Sequence, residues 1–262
     1  MNLDIAGNAA LVTGSSGGLG RAAATSLAAE GANVVINGRD EGRVDEAVEA
    51  ISSVGTGHVI GIVGDLTDPD DITDLVSGTI DEFGQLDHLV TSVGGPKSNR
   101  FLDIPERDWY GTYDSLVMSV VRLVNESADA LRDGGGTIVM ITSRVVKEAS
   151  ETNPLSSAVR MSVIGIEKTL SRELAPEVRV NAVLPGSHNT PRIRELATQA
   201  VDRGDYESID EVIESRARNI PLGRLGDPKE LGDTVAFLSS PRAGFITGET
   251  ITIDGGQSRS TL

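Results

Sequence analysis

A glycine-rich loop, Thr13-Gly14-Ser15-Ser16-Gly17-Gly18-Leu19-Gly20, stands between an apolar run and a helical pattern. Glycines there let the backbone turn tightly and approach a pyrophosphate. The helix that opens at the loop offers its positive end to the negative charge. A second group, Ser143, Ser156 and Arg160, is brought together only by the resemblance that the motifs below carry, and its side chains could polarise an oxygen. Ser156 and Arg160 are one helical turn apart and share a face. Arg160 brings a fork of donors that stays charged at any working pH, so it can hold an oxygen or a ribose but cannot shuttle protons. Ser156 is a poor acid with a short side chain. His188 is a further candidate acid, because its ordinary pKa suits that work. Arg144 and Lys147 follow Ser143 and are candidate holders of an anionic substrate. Tyr110 and Tyr113 read as packing residues, and His58 and His88, at strand starts, as structural ones. No His/carboxylate cluster has metal-ligand spacing, so no metal is expected.

The elements that must position these residues alternate. Apolar runs at Ala9–Thr13, Asn33–Asn37, His58–Val63, Leu86–Val90, Thr137–Ile141, Val178–Val183 and Gly248–Ile253 read as strands. Helical patterns fall between them, at Leu19–Glu30, from Asp40 to about Ser53, from Pro69 to Phe83, from Pro105 to Leu131 and from Pro154 to Leu174. This rhythm predicts an α/β fold: one doubly wound, Rossmann-type domain over 1–262, with a seven-stranded parallel sheet flanked by helices. The polar stretch from Thr190 to Ile220 interrupts the rhythm. It is too long for an ordinary connection and is a candidate substrate lid over 190–220.

Composition narrows the class. The chain has 262 residues, no cysteine and a formal net charge of −16. Disulfides and thiol nucleophiles are excluded. Nucleic-acid binding is not expected, because no basic stripe stands out to neutralise phosphates. No apolar run approaches the ~20 residues of a membrane span, and the first residues carry no secretion signal. A cytoplasmic protein is expected, with no membrane partner. Its only lysines are Lys97, Lys147, Lys168 and Lys229. A carboxylate-rich, lysine-poor surface repels itself in dilute buffer and is relieved by salt, which points to a halophilic, haloarchaeal-type host.

The loop spacing Thr-Gly-x-x-x-Gly-x-Gly resembles the fingerprint of the short-chain dehydrogenase/reductase family. Asp65-Leu66, Gly94 in Thr91-Ser92-Val93-Gly94-Gly95, Asn181-Ala182-Val183-Leu184-Pro185-Gly186 and Asp254-Gly255-Gly256 fall on the matching elements in order. The resemblance covers about residues 5 to 257, and is nearest to 3-oxoacyl-acyl-carrier-protein reductases and to sugar or alcohol dehydrogenases. It implies a dinucleotide held by Gly14, Ser16, Gly18, Leu19, Gly20, Arg39, Asp65, Leu66, Gly94, Arg160, Pro185, Gly186 and Thr190. NADP(H) is expected over NAD(H), because Arg39 stands just past the second strand and Asn37, not an acid, ends it. The position where NADP-dependent relatives carry a second basic residue is Gly17.

The resemblance also shows what has changed. Where the family carries Tyr-x-x-x-Lys, this chain has Ser156 and Arg160. The family's helix asparagine falls on Leu116, and only its serine is kept, as Ser143. A water in the gap left by the tyrosine, polarised by Arg160 and Ser143, is one replacement for the missing acid. The implied activity is interconversion of a small-molecule carbonyl and alcohol by a homotetramer or homodimer. The alternative is a nucleotide-binding sensor or inactive paralogue. A third reading has another acid serving a different substrate class.

Overall fold

The computed structural model describes residues 2–261. Seven strands form one parallel sheet in the order β3-β2-β1-β4-β5-β6-β7. They are β1 (Ala9–Val12), β2 (Asn33–Gly38), β3 (Val59–Val63), β4 (His88–Ser92), β5 (Thr137–Ile141), β6 (Arg179–Pro185) and β7 (Thr250–Ile253). The expected doubly wound sheet is present. β4 runs two residues beyond its expected end. Its pairing with β5 continues through Thr91↔Met140 and Ser92↔Ile141, so a neighbouring strand sets the length that local apolarity left open.

Helices cover both faces. On one side α1 (Gly18–Ala29), α2 (Glu41–Ser52) and α9 (Pro228–Ser239) bury Leu27, Val44, Ala47, Ile51, Leu231 and Val235 against the sheet, with α9 packed on α1, β5 and β6. On the other side lie α3 (Pro69–Phe83), α5 (Ser119–Gly134) and α6 (Pro154–Glu173), with Leu75, Leu123, Leu131 and Val163 in the core. Each such fully buried Leu or Ile contributes about 1.5–3 kcal/mol. Local chemistry starts the helices. Asp40, Asp68 and Asp227 each accept a backbone N–H of the first turn, and Pro69, Pro154 and Pro228 occupy the first helical positions.

The long helix expected over Pro105–Leu131 is α4 (Glu106–Tyr113) and α5 joined by a π-helical turn, Asp114–Met118. That wider turn carries Leu116, which is buried. The stretch from Thr190 to Ile220 is a helical hairpin, α7 (Pro191–Asp202) and α8 (Ile209–Arg218), with a small core of its own around Ala197, Ala200 and Val212. Among the described residues, no helix is long and apolar enough to cross a membrane.

Candidate active site

β1 and β4 are the neighbours at which the strand order reverses. Beyond their carboxyl ends lies a cleft of about 670 Å3, where a doubly wound sheet places its ligand. Gly14, Ser16, Arg39, Asp65, Leu66 and Gly94 line it, as expected from sequence. Gly14 has φ +54°, and a Cβ there would come within 2.4 Å of the Ser92 carbonyl oxygen. The loop thus lies against β4 in a way that only glycine permits. Leu19 and Gly20 begin α1 behind it, and Gly18 has φ +61°.

Asn37 explains why no acid ends β2. Its side chain is buried; Oδ1 accepts the Gly14 N–H at 3.1 Å, and Nδ2 donates to the carbonyl oxygen of Gly64 at 3.1 Å. A carboxylate could not donate. The residue ties the glycine loop to the end of β3 and leaves the strand end uncharged. Arg39 is mostly exposed and reaches Asp65 at 3.8 Å. Hydrogen bonds from the Thr67 N–H and hydroxyl, at 2.9 and 2.8 Å, together with Arg39, hold the Asp65 carboxyl below its ordinary pKa against an opposing desolvation.

Sequence reasoning missed Arg43. It is the third residue of α2, capped by Asp40, and its guanidinium lies over Gly17, where a Cβ would come within 2.9 Å of Nη2. Arg43 lines the cleft with Arg39. A second basic group is therefore present, supplied by the helix; the cap at Asp40 was its sequence signal. Lys97, Asn99 and Arg107 also line the cleft and were not singled out.

Arg160 is buried on α6. Nη2 donates to the Val93 carbonyl at 3.1 Å and Nη1 to the Ile141 carbonyl at 3.4 Å, while Nε has no partner. Among the described residues no carboxylate pairs with it, and burial lowers its pKa from 12.5 to about 10. Val93 lines the cleft, so this uncompensated cation stands directly behind its wall. Ser156 is buried one turn before Arg160, and Leu155 faces the cleft beside it. Ser143 lies two residues past β5, half-buried, with Oγ accepting the Val145 N–H at 3.4 Å; it, Ser156 and Arg160 are not among the residues that line the cleft.

Other expected residues fall elsewhere. Arg144 pairs with Glu148 at 3.4 Å, and neither it nor Lys147 is among the residues that line the large cleft. His188 is buried against Gly226 and lines a separate cavity of about 250 Å3. Its Nδ1 lies 3.2 Å from the Gly186 carbonyl, and burial lowers its pKa. Thr190 precedes α7, buried and without a side-chain cap bond, and neither it nor Pro185 nor Gly186 is among the residues that line the large cleft. His88 is structural: it is buried, bonded to Asn8 and Thr137, and its pKa falls to about 4 through desolvation and then Arg179. Among the described residues no cluster of His, Asp or Glu is placed to hold a metal.

The sheet order and the glycine cradle at the switch point are those of a short-chain dehydrogenase/reductase. The chain belongs to this family of oxidoreductases, with residues 14–258 matching the group described as enoyl-(acyl carrier protein) reductase. It is 33% identical over 251 residues to the short-chain reductase protein NovJ of Streptomyces niveus, covering 95% of this chain and 93% of that one. It is 32% identical to the 3-oxoacyl-[acyl-carrier-protein] reductase FabG of Vibrio cholerae, covering 98% of each. Among solved structures it is similar to L-sorbose reductase from Gluconobacter frateurii, complexed with NADPH and L-sorbose. That likeness has a TM-score of 0.95 at 27% identity, over 99% of this chain and 100% of the other.

Proposed function

We propose that this chain is an NADPH-dependent reductase that interconverts a carbonyl and an alcohol through a rewritten site. The observation that carries the reading is Arg160, a buried guanidinium with no carboxylate partner behind the wall of a dinucleotide cleft. A cation held that way is costly unless negative charge develops beside it. The cleft fits a dinucleotide. Gly14 leaves no room for a side chain, and the N-terminal end of α1 opens beside it. A bound nicotinamide supplies hydride. Arg39 and Arg43 form a cationic pair suited to a 2′-phosphate, and the uncharged Asn37 does not repel it.

The chain's own residues do the rest. The Ser143 hydroxyl donates to the substrate oxygen. Arg160 stabilises charge on that oxygen by its field, without giving up a proton. The alkoxide takes its proton from a solvent water at the position the family's tyrosine would fill, and the hydroxide left behind is reprotonated from bulk solvent. In this reading His188 is structural, Arg144 acts through Glu148, and the α7–α8 hairpin covers the substrate. Tyr110, Tyr113 and Met161 are exposed on α4 and α6, which supports assembly of two or four copies through those helices.

The test is NADPH and NADH oxidation in molar KCl against 3-oxoacyl thioesters, diketones, keto-sugars and aldehydes. Turnover with NADPH is expected. The serine at the family's tyrosine position, with Leu155 rather than Ser156 facing the cleft, favours a second reading as a cofactor-binding sensor. Tight NADPH binding with no turnover across the panel would establish that one instead.

A further inference from the structure

The segment that follows β7 is tied to both loops that flank Ser143 and Thr190. Asp254 turns it, with Oδ1 accepting the Gly256 N–H at 2.9 Å and Oδ2 the Ser258 N–H at 2.7 Å. It presses on the loop after β6: a Cβ on Gly186 would come within 2.5 Å of Asp254 Cβ and 3.3 Å of Gln257 Oε1. Its far end reaches the loop after β5. There Glu148 Oε1 accepts the backbone N–H groups of Arg259 and of Ser260, the latter at 2.9 Å. The other carboxylate oxygen of Glu148 pairs with Arg144, the residue next to Ser143, at 3.4 Å.

One carboxylate thus joins backbone 111 residues away to the turn that carries the kept serine. The docked segment also holds a cost, because Gln257 Oε1 and Ser258 Oγ are buried without partners. Charge-assisted bonds at Glu148 offset that cost.

We propose that Glu148 is a positioning residue: it latches the segment Asp254–Thr261 across the loops after β5 and β6 and through Arg144 sets the Ser143 loop. The effect on catalysis rests on the reductase reading above; the latch itself does not.

The experiment uses the full chain with Glu148→Ala, Glu148→Gln and Arg259→Pro. Glutamine keeps an acceptor oxygen. Proline removes one of the two donors and leaves Glu148 in place. Three quantities are read: amide hydrogen exchange, the NADPH dissociation constant, and kcat and KM for ethyl acetoacetate and L-sorbose. In the wild type the amides of Arg259 and Ser260 are protected. Glu148→Ala loses that protection, speeds exchange across residues 143–150 and lowers kcat at least tenfold with the NADPH constant unchanged. Glu148→Gln recovers most of both, and Arg259→Pro repeats the loss, which keeps the test open if the alanine variant misfolds. Unprotected amides in the wild type, or an open latch with unchanged kcat and KM, overturn the proposal. If the wild type reduces no substrate, the reductase reading has failed. The latch is then decided by exchange alone: faster exchange over 143–150 on release sustains it, and unchanged exchange overturns it.

Discussion

The guanidinium of Arg43 occupies the space that a side chain at position 17 would take; a Cβ on Gly17 would come within 2.9 Å of Nη2. With Arg39 it makes the only pair of arginines at the β2 end of the cleft among the described residues. Arg39→Ala and Arg43→Ala should each weaken NADPH binding by about 1.5–3 kcal/mol, the worth of a charged hydrogen bond. NADH binding should change little. Fluorescence titration of both cofactors decides it, and equal losses for the two would remove the 2′-phosphate from the argument.

Asn37 both donates and accepts, so Asn37→Asp tests two effects at once. The buried carboxylate would face the carbonyls of Gly64 and Ile62 without a proton to give. We expect a loss of about 1–3 kcal/mol in stability and weaker NADPH binding. Urea unfolding with a cofactor titration checks both. A variant as stable as the parent would show that the donation to Gly64 is dispensable.

Arg160→Leu separates charge from packing. Removing an unpaired buried cation for an apolar side chain is neutral or stabilising, while transition-state stabilisation of several kcal/mol is lost. Turnover should fall at least a hundredfold with the melting temperature unchanged or raised. In the parent chain kcat should be flat between pH 6 and 9 and change only near 10, where Arg160 titrates. A step in kcat near pH 7 would point to a different acid.

Glu167 makes a pH signature in stability. It is fully buried on α6 with neither carboxylate oxygen bonded, and burial raises its pKa from 4.5 to about 7, opposed by Lys168 and aided by Glu249. The folded state holds the proton more tightly than the unfolded chain. Stability from this group is therefore present below about pH 4.5 and lost as pH rises through 7. Glu167→Gln should gain up to about 3 kcal/mol at pH 8 and little at pH 5. Denaturant melts at the two pH values measure the difference, and equal gains at both would refute a titrating Glu167.

The net charge of −16 also carries a salt prediction. The unfolding midpoint should rise steadily between 0.1 and 3 M KCl as carboxylate repulsion is screened. A midpoint independent of KCl would set the halophile reading aside.

Much of this molecule is determined by local sequence. Apolar runs punctuated by glycine and proline specify strands, helices and their alternation, because strand burial and helix capping act over a few residues. The loop at Thr13–Gly20 is legible for the same reason: a tight turn before a helix needs glycines whatever surrounds it. The Ser156-x-x-x-Arg160 spacing, which the family resemblance sets at the tyrosine and lysine positions, is likewise read without any structure. What the tertiary structure decides is which distant groups meet. Arg43 reaches Gly17 because α2 folds back beside the loop. His188 turns into the smaller cavity because the loop after β6 pairs with Gly226 there. Arg160 lies uncompensated because, among the described residues, no acid from another element pairs with it. Such contacts depend on crossovers and packing across tens of residues, and no local propensity encodes them.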